Sequence, residues 1–346
     1  MSLDLAARAL RALPAETAHR ATLGFAGLLA PLLPKAPPDD ARLGVAALGL
    51  RFPNPVGLAP GFDKDVEVPD VLLKLGFGFV ECGTVTPLPQ AGNARPRLFR
   101  LGEDGAVINR MGFNNRGMEA AAVRLSARRK AGIVGINIGA NKQSADRIAD
   151  YAKGFARLAP LADYVTANIS SPNTPGLRGL QNKDELARLL SVLVEARQKT
   201  GHKPILLKIA PDLDLQALDD IAAAVIASGI EGIIVSNTTL ARPSLQSANA
   251  TESGGLSGKP LFSPSTEILR QVRARVPASM VLVGVGGIAS GADAYAKIRA
   301  GASLVQLYTG LVFEGPGLVA RIKRDLLACL ARDGFSCIAD AVGQGG

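Results

Sequence analysis

Short, nearly continuous apolar segments recur along the chain, and longer segments of helical periodicity separate them. Segments of this kind, rich in β-branched residues and bounded by Gly, Pro or Asn, are typical of parallel strands that are buried on both faces. The pattern predicts strands at Val56–Leu58, Phe79–Cys82, Ile133–Ile138, Tyr164–Asn168, Ile205–Ile209, Gly232–Asn237, Val281–Val285 and Leu304–Leu307.

The segments between these strands have the spacing of amphipathic helices. ELARLLSVLVEARQK and LQALDDIAAAVIASG are two examples, and the second ends at Gly229, a residue suited to a helix C-cap. Strands that alternate with helices in this way predict an α/β protein with a (β/α)8 barrel, or TIM barrel. A doubly wound open sheet is the alternative that the same pattern allows.

Two segments depart from this alternation. LGLRFPNPVGL, which leads into the first predicted strand, resembles a short hairpin that closes the floor of the barrel. The polar, Gly-rich segment 240–259 follows the sixth strand, and loops of this length in compact domains are often lids or binding loops. A surface loop without function is the alternative reading of the second segment.

The first 40 residues form a separate unit in the pattern. Apolar residues of SLDLAARALRAL lie on one helical face, and AETAHRATLGFAGLLAPLL predicts a second helix before the linker KAPPDD. Such helices could pack on the barrel, pair with another subunit or lie in a membrane interface. The segment has four basic and four acidic residues and therefore no net charge, so it would bind lipid through burial of apolar side chains more than through charge. Residues 1–40 are therefore predicted as a helical extension and residues 41–346 as the catalytic barrel.

Composition narrows the functional classes. The chain has 346 residues, 47% hydrophobic and 20% charged, a balance that suits a large core. No apolar run approaches the roughly 20 residues that span a bilayer, and no secretory signal is recognisable. Three cysteines without metal-ligand spacing and two histidines argue against a metal site. The net charge of +9 is dispersed and Trp is absent, which argues against a nucleic-acid surface.

A ring of polar residues follows the predicted strands at their carboxyl ends, where barrel enzymes have their active sites. Buried polar groups are costly unless they are paired, so a whole ring at one barrel mouth indicates a polar ligand. In strand order the ring contains Lys64, Thr84, Asn137, the segment NISSPNTPG, Lys208, SNTT, GVGGI and YTG.

The last two members of the ring indicate a phosphate. Barrels often bind a phosphate with the loops after strands seven and eight and a helix N-terminus. Gly286 and Gly287 would let backbone N–H groups approach the anion, and Thr309 would add a hydroxyl. Lys64 and Lys208 make the mouth cationic, which fits a phosphate together with an anionic substrate or a reduced, anionic flavin.

No His and no pair of carboxylates stands out as the acid–base group. The stretch NISSPNTPG offers two serines, and a serine acts as a base only if its proton has an onward route and its neighbours stabilise the charge. Pro172 disfavours helical geometry at Ser171, so the loop can fix the direction of that hydroxyl. The residues alone leave Ser170 and Ser171 as equal candidates, and an ordinary turn is the alternative for the whole stretch.

Several of these motifs together resemble those of the dihydroorotate dehydrogenase family: GFDK, VTPLPQAGNARPRLFRL, INRMGFNN, NISSPNTPGLR, SNTT, GGLSG, GVGGI and YTG, from about residue 45 to about residue 335. The resemblance implies a (β/α)8 barrel that binds FMN and oxidises dihydroorotate to orotate in pyrimidine biosynthesis. The soluble class of that family has a cysteine as catalytic base, whereas the membrane-associated, quinone-using class 2 has a serine. Ser171 stands at this position, and an N-terminal helix pair is also typical of class 2.

The resemblance assigns roles to the matching residues. Ser171 would remove the C5 proton of dihydroorotate, and Lys208 would stabilise charge on the reduced flavin. The residues implied to bind substrate are Lys64, Asn109, Arg110, Met111, Gly112, Phe113, Asn168, Asn173, Asn237 and Thr238. Those implied to bind FMN are Pro60, Gly61, Phe62, Asp63, Lys64, Thr84, Asn137, Asn168, Lys208, Ser236, Gly258, Gly287, Tyr308 and Thr309. His19 and Arg100 match residues that line a quinone tunnel.

Pro60 and Ser236 depart from the family pattern, which more often has Ala and Thr there. The flavin contacts implied at these two positions can be made by backbone or hydroxyl groups, so neither change puts the activity in doubt. The resemblance also implies ubiquinone or menaquinone as the acceptor and peripheral attachment to the cytoplasmic side of the inner membrane of a bacterium. It implies no nucleic-acid partner.

Three rival hypotheses follow from the same residues. The chain could be another FMN barrel, such as a dihydrouridine synthase that acts on tRNA, although it has no C-terminal RNA-binding domain and has a serine as the base. It could be a flavin-binding or membrane-tethered scaffold whose flavin dihydroorotate does not reduce. It could also oxidise dihydroorotate with fumarate or NAD as the acceptor.

Overall fold

The structure, a computed structural model, describes residues 4, 9–29, 36–129 and 131–345. The strands are β1 Val45–Ala47, β2 Leu50–Phe52, β3 Val56–Leu58, β4 Phe79–Val85, β5 Leu98–Leu101, β6 Ala106–Asn109, β7 Ile133–Ile138, β8 Tyr164–Asn168, β9 Ile205–Ile209, β10 Gly232–Val235, β11 Gly255–Gly258, β12 Val281–Val285 and β13 Leu304–Leu307. The α-helices are α1 Ala15–Leu29, α2 Pro69–Lys74, α3 Gly117–Ala127, α4 Arg147–Leu158, α5 Lys183–Thr200, α6 Leu215–Ser228, α7 Phe262–Arg273, α8 Gly291–Arg299, α9 Thr309–Glu314 and α10 Leu318–Asp333.

Eight parallel strands close into a barrel in the order β3, β4, β7, β8, β9, β10, β12 and β13, and β13 pairs with β3 to complete the ring. The predicted (β/α)8 barrel is confirmed, and the open-sheet alternative is not. β4 continues to Val85, three residues beyond its predicted end, while β10 ends at Val235, two residues before its predicted end. Helix caps agree with the sequence: Asp214 accepts from the Ala217 N–H at the start of α6, and Gly229 ends α6 in the left-handed conformation.

The lower half of the barrel is filled by side chains. The rings of Phe79 and Tyr164 lie over Gly57 and Gly135, where any Cβ atom would overlap them. A hairpin lies at the floor, but it begins earlier than predicted: β1 precedes the predicted segment 48–58 and pairs antiparallel with β2. The Phe52 ring packs edge-on against Phe79 with centroids 5.2 Å apart. Because the floor is packed, a ligand can enter the barrel only from the carboxyl ends of the strands.

A second sheet covers one side of the barrel mouth. β5, β6 and β11 form a three-stranded antiparallel sheet with its own small core of Leu101, Ala106, Ile108 and Leu256. Sequence reasoning missed this sheet, although the turn GEDG between two apolar segments is a hairpin signal. The prediction of a loop over residues 240–259 was wrong at its end, because residues 255–258 are the strand β11.

The N-terminal extension contributes one well-defined element. The predicted second helix is α1, and it packs along β5. The predicted first helix and the region of Pro31 to Lys35 lie largely outside the described residues. Within the described chain, no helix combines the length and the apolar character needed to cross a membrane. The division at residue 40 stays a prediction.

Candidate active site

A cavity of about 390 Å³ opens at the carboxyl ends of the barrel strands. Polar residues at the strand ends form its inner part, and Leu98, Val107 and Ser257 of the covering sheet form one side. His19, Phe25 and their neighbours on α1 form the outer wall, which is mostly apolar. The cavity therefore joins a polar chamber in the barrel to an apolar passage beside α1.

Most of the residues predicted for the site meet in this cavity. Those that line it are Pro60, Gly61, Phe62, Lys64, Thr84, Asn109, Met111, Gly112, Phe113, Asn168, Ser171, Asn173, Lys208, Ser236, Asn237, Thr238, Gly258, Gly287, Tyr308, Thr309, His19 and Arg100. Among the described residues, no group of three His, Cys, Asp or Glu side chains is placed to hold a metal ion.

Two predicted residues have side chains engaged outside the cavity. The Asp63 carboxylate accepts from the backbone N–H groups of Glu67 and Val68, both at 2.8 Å, and thereby fixes the turn before α2. Burial raises the pKa of Asp63. Arg110 donates to Glu252 at 2.7 Å and does not line the cavity. Their motifs were identified from the sequence, but the direction of each side chain depends on tertiary contacts.

The third exception, Asn137, lies beneath the cavity in contact with a buried carboxylate. Glu81 is fully buried inside the barrel, and its carboxylate accepts from Asn137 Nδ2 at 2.8 Å, Gln306 Nε2 at 2.8 Å and the Tyr164 hydroxyl at 3.0 Å. Three donors on one carboxylate satisfy a group that would otherwise be expensive to bury. The contact also fixes which end of the Asn137 amide faces upward.

That orientation continues into the cavity wall. Asn137 Oδ1 accepts from the Thr84 hydroxyl at 2.6 Å and from Asn168 Nδ2 at 3.1 Å. Asn168 Oδ1 consequently faces away and accepts from Asn237 Nδ2 at 3.2 Å and from the Ser170 hydroxyl at 3.2 Å. The Glu81 carboxylate can only accept, so it fixes the orientation of the Asn137 amide, and the Asn137 oxygen in turn fixes that of Asn168.

The two candidate serines differ in placement. Ser170 is fully buried, and its hydroxyl lies between Asn168 Oδ1 and Asn237 Nδ2 as part of the amide network. Ser171 lines the cavity, and its Oγ accepts from the Asn173 backbone N–H at 3.3 Å. Ser171 is therefore the serine that can meet a ligand, whereas Ser170 supports the wall behind it.

Two lysines give the chamber a positive charge. Burial lowers the pKa of Lys64 to about 8, and its Nζ donates to the Gly61 carbonyl at 2.6 Å. Burial also lowers the pKa of Lys208, and the negative charge of Glu81 only partly offsets this effect. Among the described residues, no carboxylate lies within 4 Å of either ammonium group. Both groups would be stabilised by an anionic ligand.

Another part of the chamber has a wall of backbone and hydroxyl groups. Gly258 and Gly287 line it at positions where a Cβ atom would overlap neighbouring groups, in the case of Gly287 the Phe262 residue. The Thr309 hydroxyl lies beside them and donates to Ser257 Oγ at 2.9 Å. Such a wall brings N–H and O–H donors to an anion without side chains in between.

The apolar passage contains one neutral imidazole. His19 Nδ1 lies 3.3 Å from the Tyr308 hydroxyl, and its ring contacts Phe62 edge-on with centroids 5.3 Å apart. Burial lowers the pKa of His19 to about 3, and the Lys64 charge acts in the same direction. His19 is therefore an uncharged hydrogen-bonding group near neutral pH.

Two arginines attach the extension to the barrel mouth. Arg100 donates to the carbonyl groups of Arg11 at 2.7 Å and Leu13 at 2.8 Å. Arg97, which is buried, donates to Glu16 of α1 at 2.8 Å. The position of α1, and with it the outer wall of the cavity, depends on these contacts.

Sequence reasoning missed several residues that organise the site. Arg97 also donates to the Asn93 carbonyl at 2.8 Å, and Arg178 donates to the Ser170 carbonyl at 3.1 Å. Both arginines lie within the motifs that carry the family resemblance, but those motifs do not show which carbonyl groups the arginines bind. Glu81 had a clear signal, because a charged residue in the middle of a fully buried strand requires partners.

Comparison with known proteins agrees with this geometry. A family profile described as "Dihydroorotate dehydrogenase" matches residues 42–330. Curated proteins named "Dihydroorotate dehydrogenase (quinone)" are similar over nearly the whole chain: one from Bradyrhizobium sp. (strain BTAi1) is 56% identical, covering 96% of this chain and 93% of the relative. One from Brucella anthropi is 57% identical, and the match covers 97% of this chain and 93% of the relative. A crystal structure of DHODH from Eimeria tenella in complex with ferulenol superimposes with a TM-score of 0.91 at 38% identity, covering 95% of each chain.

We expect Glu81→Gln to destabilise the protein by about 1–3 kcal/mol, because a glutamine amide presents an N–H group to at least one of the three donors and leaves it unpaired. Urea unfolding followed by circular dichroism measures this loss. Glu252→Gln is the matched control, since the Glu252 pair with Arg110 is partly exposed and worth about 0–1 kcal/mol. Equal unfolding midpoints for the two variants would show that the carboxylate does not organise the barrel interior.

Proposed function

The chain belongs to the dihydroorotate dehydrogenase family, and we propose on that premise that it oxidises (S)-dihydroorotate to orotate, a step of pyrimidine biosynthesis, and passes the electrons to a quinone. The observation that carries the proposal is the continuous cavity in which a polar chamber with Ser171 and two lysines meets an apolar passage beside α1. The relatives are named as quinone-using enzymes, which supports a quinone as the acceptor, and together with Ser171 this indicates the quinone-using class 2.

The family is flavin-dependent, and we infer that FMN is the flavin bound in this chamber. When bound, FMN would supply the acceptor for the hydride from C6 of the substrate and the carrier of electrons to the quinone. Gly258, Gly287 and Thr309 would hold its phosphate with N–H and O–H donors. Lys208 is buried at the end of β9 and lines the chamber, so it would face the ring system, where a cation stabilises negative charge that develops on reduction.

Amide groups would hold the substrate ring and its carboxylate. Asn109 and Asn173 lie at the chamber wall with Nδ2 of Asn173 3.3 Å from Oδ1 of Asn109. Asn168 and Asn237 face them from the strand ends, and Lys64 supplies the charge that a carboxylate requires. Amides fit a pyrimidine dione because each offers both a donor and an acceptor.

Ser171 would take the proton from C5 of dihydroorotate. A serine hydroxyl is a weak base, so it can take the C5 proton only as its own Oγ proton passes to an acceptor such as a water molecule in the cavity. The Asn173 N–H donates to Ser171 Oγ and would stabilise negative charge on that oxygen as its proton leaves. Ser171 is almost fully buried, so bulk water has little access to the hydroxyl once the substrate is bound.

The quinone would approach flavin along the apolar passage. His19, neutral and fixed between Phe62 and Tyr308, would offer a hydrogen bond to a quinone carbonyl, and Arg100 lines the outer part. Because α1 carries His19, the passage exists only while α1 is in place. Ubiquinone and menaquinone share the carbonyl and the apolar tail that such a passage would accept.

An anaerobic mixing experiment tests the reaction. Dihydroorotate should bleach the flavin absorbance of the purified protein, and a short-chain ubiquinone should restore it, while fumarate and NAD should not. Recovery with fumarate or NAD alone would contradict the role of the passage but keep the substrate. Absence of bleaching would contradict the substrate assignment itself.

In the same assay we expect Ser171→Ala to slow bleaching by at least about 100-fold, because general-base transfer typically contributes 10²–10⁴-fold to a rate. The reoxidation by quinone of protein reduced with dithionite should be unchanged. Ser170→Ala is the matched control: it sits one residue away and behind the wall, so it should slow bleaching less than Ser171→Ala. A larger effect at Ser170 would exchange the roles of the two serines.

We further propose that the end of α1 contacts the surface of the cytoplasmic membrane. Phe25 is 54% exposed and Leu28 is 73% exposed on this helix, and Phe25 also lines the cavity. Large apolar side chains at the opening of an apolar passage suit a protein that collects a lipid-soluble quinone from a bilayer. Peripheral attachment would follow from burial of these side chains in the interface.

Leu28→Ser should weaken binding to vesicles of phosphatidylglycerol and phosphatidylethanolamine by about tenfold, since burial of a leucine contributes roughly 1.5–3 kcal/mol. Co-sedimentation with the vesicles measures this. Leu215→Ser, which changes an exposed leucine on α6, should bind as the unchanged protein does. Equal binding of all three proteins would exclude α1 as the contact.

A further inference from the structure

A fully buried lysine outside the proposed catalytic groups lies directly behind the wall assigned to the phosphate. Lys297, near the end of α8, is 0% exposed. Its Nζ donates to Ser265 Oγ at 2.6 Å and lies 3.4 Å from the Phe262 carbonyl, both in the first turn of α7. The ammonium group also lies 5.2 Å from the centre of the Phe262 ring.

The charge of Lys297 has no direct counter-ion. Among the described residues, no carboxylate lies within 4 Å of its Nζ, and Asp293 acts only from a distance, against the like charge of Arg270. Burial lowers the pKa of Lys297 to about 7. An ammonium group in such a place is costly unless an anion nearby stabilises it.

The contacts of Ser265 lead from this lysine to the cavity. The Ser265 hydroxyl faces the Leu261 carbonyl at 2.6 Å and the Gly286 carbonyl at 3.3 Å. A Cβ atom on Gly286 would lie 2.6 Å from Ser265 Oγ, so the glycine loop packs directly on this serine. Gly286, Gly287 and Leu261 all line the cavity. One layer of atoms therefore separates the ammonium group from the chamber.

We propose that Lys297 is a positioning residue for the flavin phosphate. Through Ser265 and Phe262 it holds the first turn of α7 against the Gly286–Gly287 loop, and its charge is the buried counter-charge of the phosphate. The inference rests on the proposed binding of FMN and adds the group that makes the site selective for a phosphorylated flavin. The phosphate dianion and the ammonium group would each reduce the cost of burying the other.

A purely structural role is the alternative. A lysine that only ties α7 to α8 would support any flavin equally, because riboflavin and FMN share the ring and the ribityl chain and differ only in the phosphate. The ratio of FMN affinity to riboflavin affinity therefore separates the two roles, and overall stability does not.

The experiment uses the full-length protein with its flavin. The holoprotein is dialysed to equilibrium against mixtures of FMN and riboflavin, and the bound flavins are separated by chromatography and quantified. The variants are Lys297→Met, which keeps length and removes charge, Lys297→Arg, which keeps charge, and Ser265→Ala, which removes the link. Lys323→Met is the control, because the Lys323 side chain is also largely buried, at 12% exposure, and pairs with Asp39 away from the cavity.

Lys297→Met should lower the preference for FMN over riboflavin by about tenfold, the equivalent of 1.4 kcal/mol. Lys297→Arg should recover most of that preference, Ser265→Ala should lower it about threefold, and Lys323→Met should leave it unchanged. If Lys297→Met does not fold, Ser265→Ala carries the test alone.

Equal loss of both flavins in Lys297→Met, or an unchanged ratio, would overturn the role of Lys297 while the FMN assignment stands. A protein without substitutions that does not prefer FMN to riboflavin would overturn the FMN assignment and the role of Lys297 together.

Discussion

A single carboxylate inside the barrel sets the polarity of the site. An amide side chain can present its oxygen or its nitrogen to a ligand, and a wall built of several asparagines could adopt many combinations. Glu81 removes this freedom at the base, because its carboxylate only accepts and three donors converge on it. Asn137 must then turn its oxygen upward, and Asn168 must turn its oxygen toward Asn237. The donors and acceptors that face the chamber follow from a group that no ligand touches.

The second constraint is the attachment of the extension. Arg97 is buried and would leave an uncompensated charge without Glu16, so the ion pair holds α1 firmly in one place. Arg97 also binds the Asn93 carbonyl, and Asn93 donates to the Asn173 carbonyl at 3.2 Å. The helix that forms the passage and the loop proposed to hold the substrate are therefore parts of one connected structure. Two half-reactions that share a flavin require this kind of fixed geometry.

Much of the fold could be predicted because buried parallel strands carry a strong local signal. The barrel strands and the hairpin below them were located from apolar runs and turn residues, with errors of two or three residues at the ends of β4 and β10 and at the start of the hairpin. The sheet over the mouth was missed, since β5, β6 and β11 have four residues each and half of their positions are only partly buried. The ring of polar residues was found for a related reason: strand ends of a barrel converge wherever the helices run. Other site residues, such as Asn109, His19 and Arg100, were identified only through the family resemblance.

The sequence by itself determined the fold class, the ring of polar residues at the strand ends, the family and the serine pair, because each depends on the order of residues along one strand or loop. Tertiary structure decided which serine faces the cavity, that Arg110 turns to Glu252, and that Glu81 orients Asn137 across the barrel. It also placed His19 opposite Tyr308, from segments 289 residues apart. The physical reason is the range of the interactions: periodicity and turns are local, whereas a buried hydrogen bond depends on a partner that only the closed barrel brings within 3 Å or so.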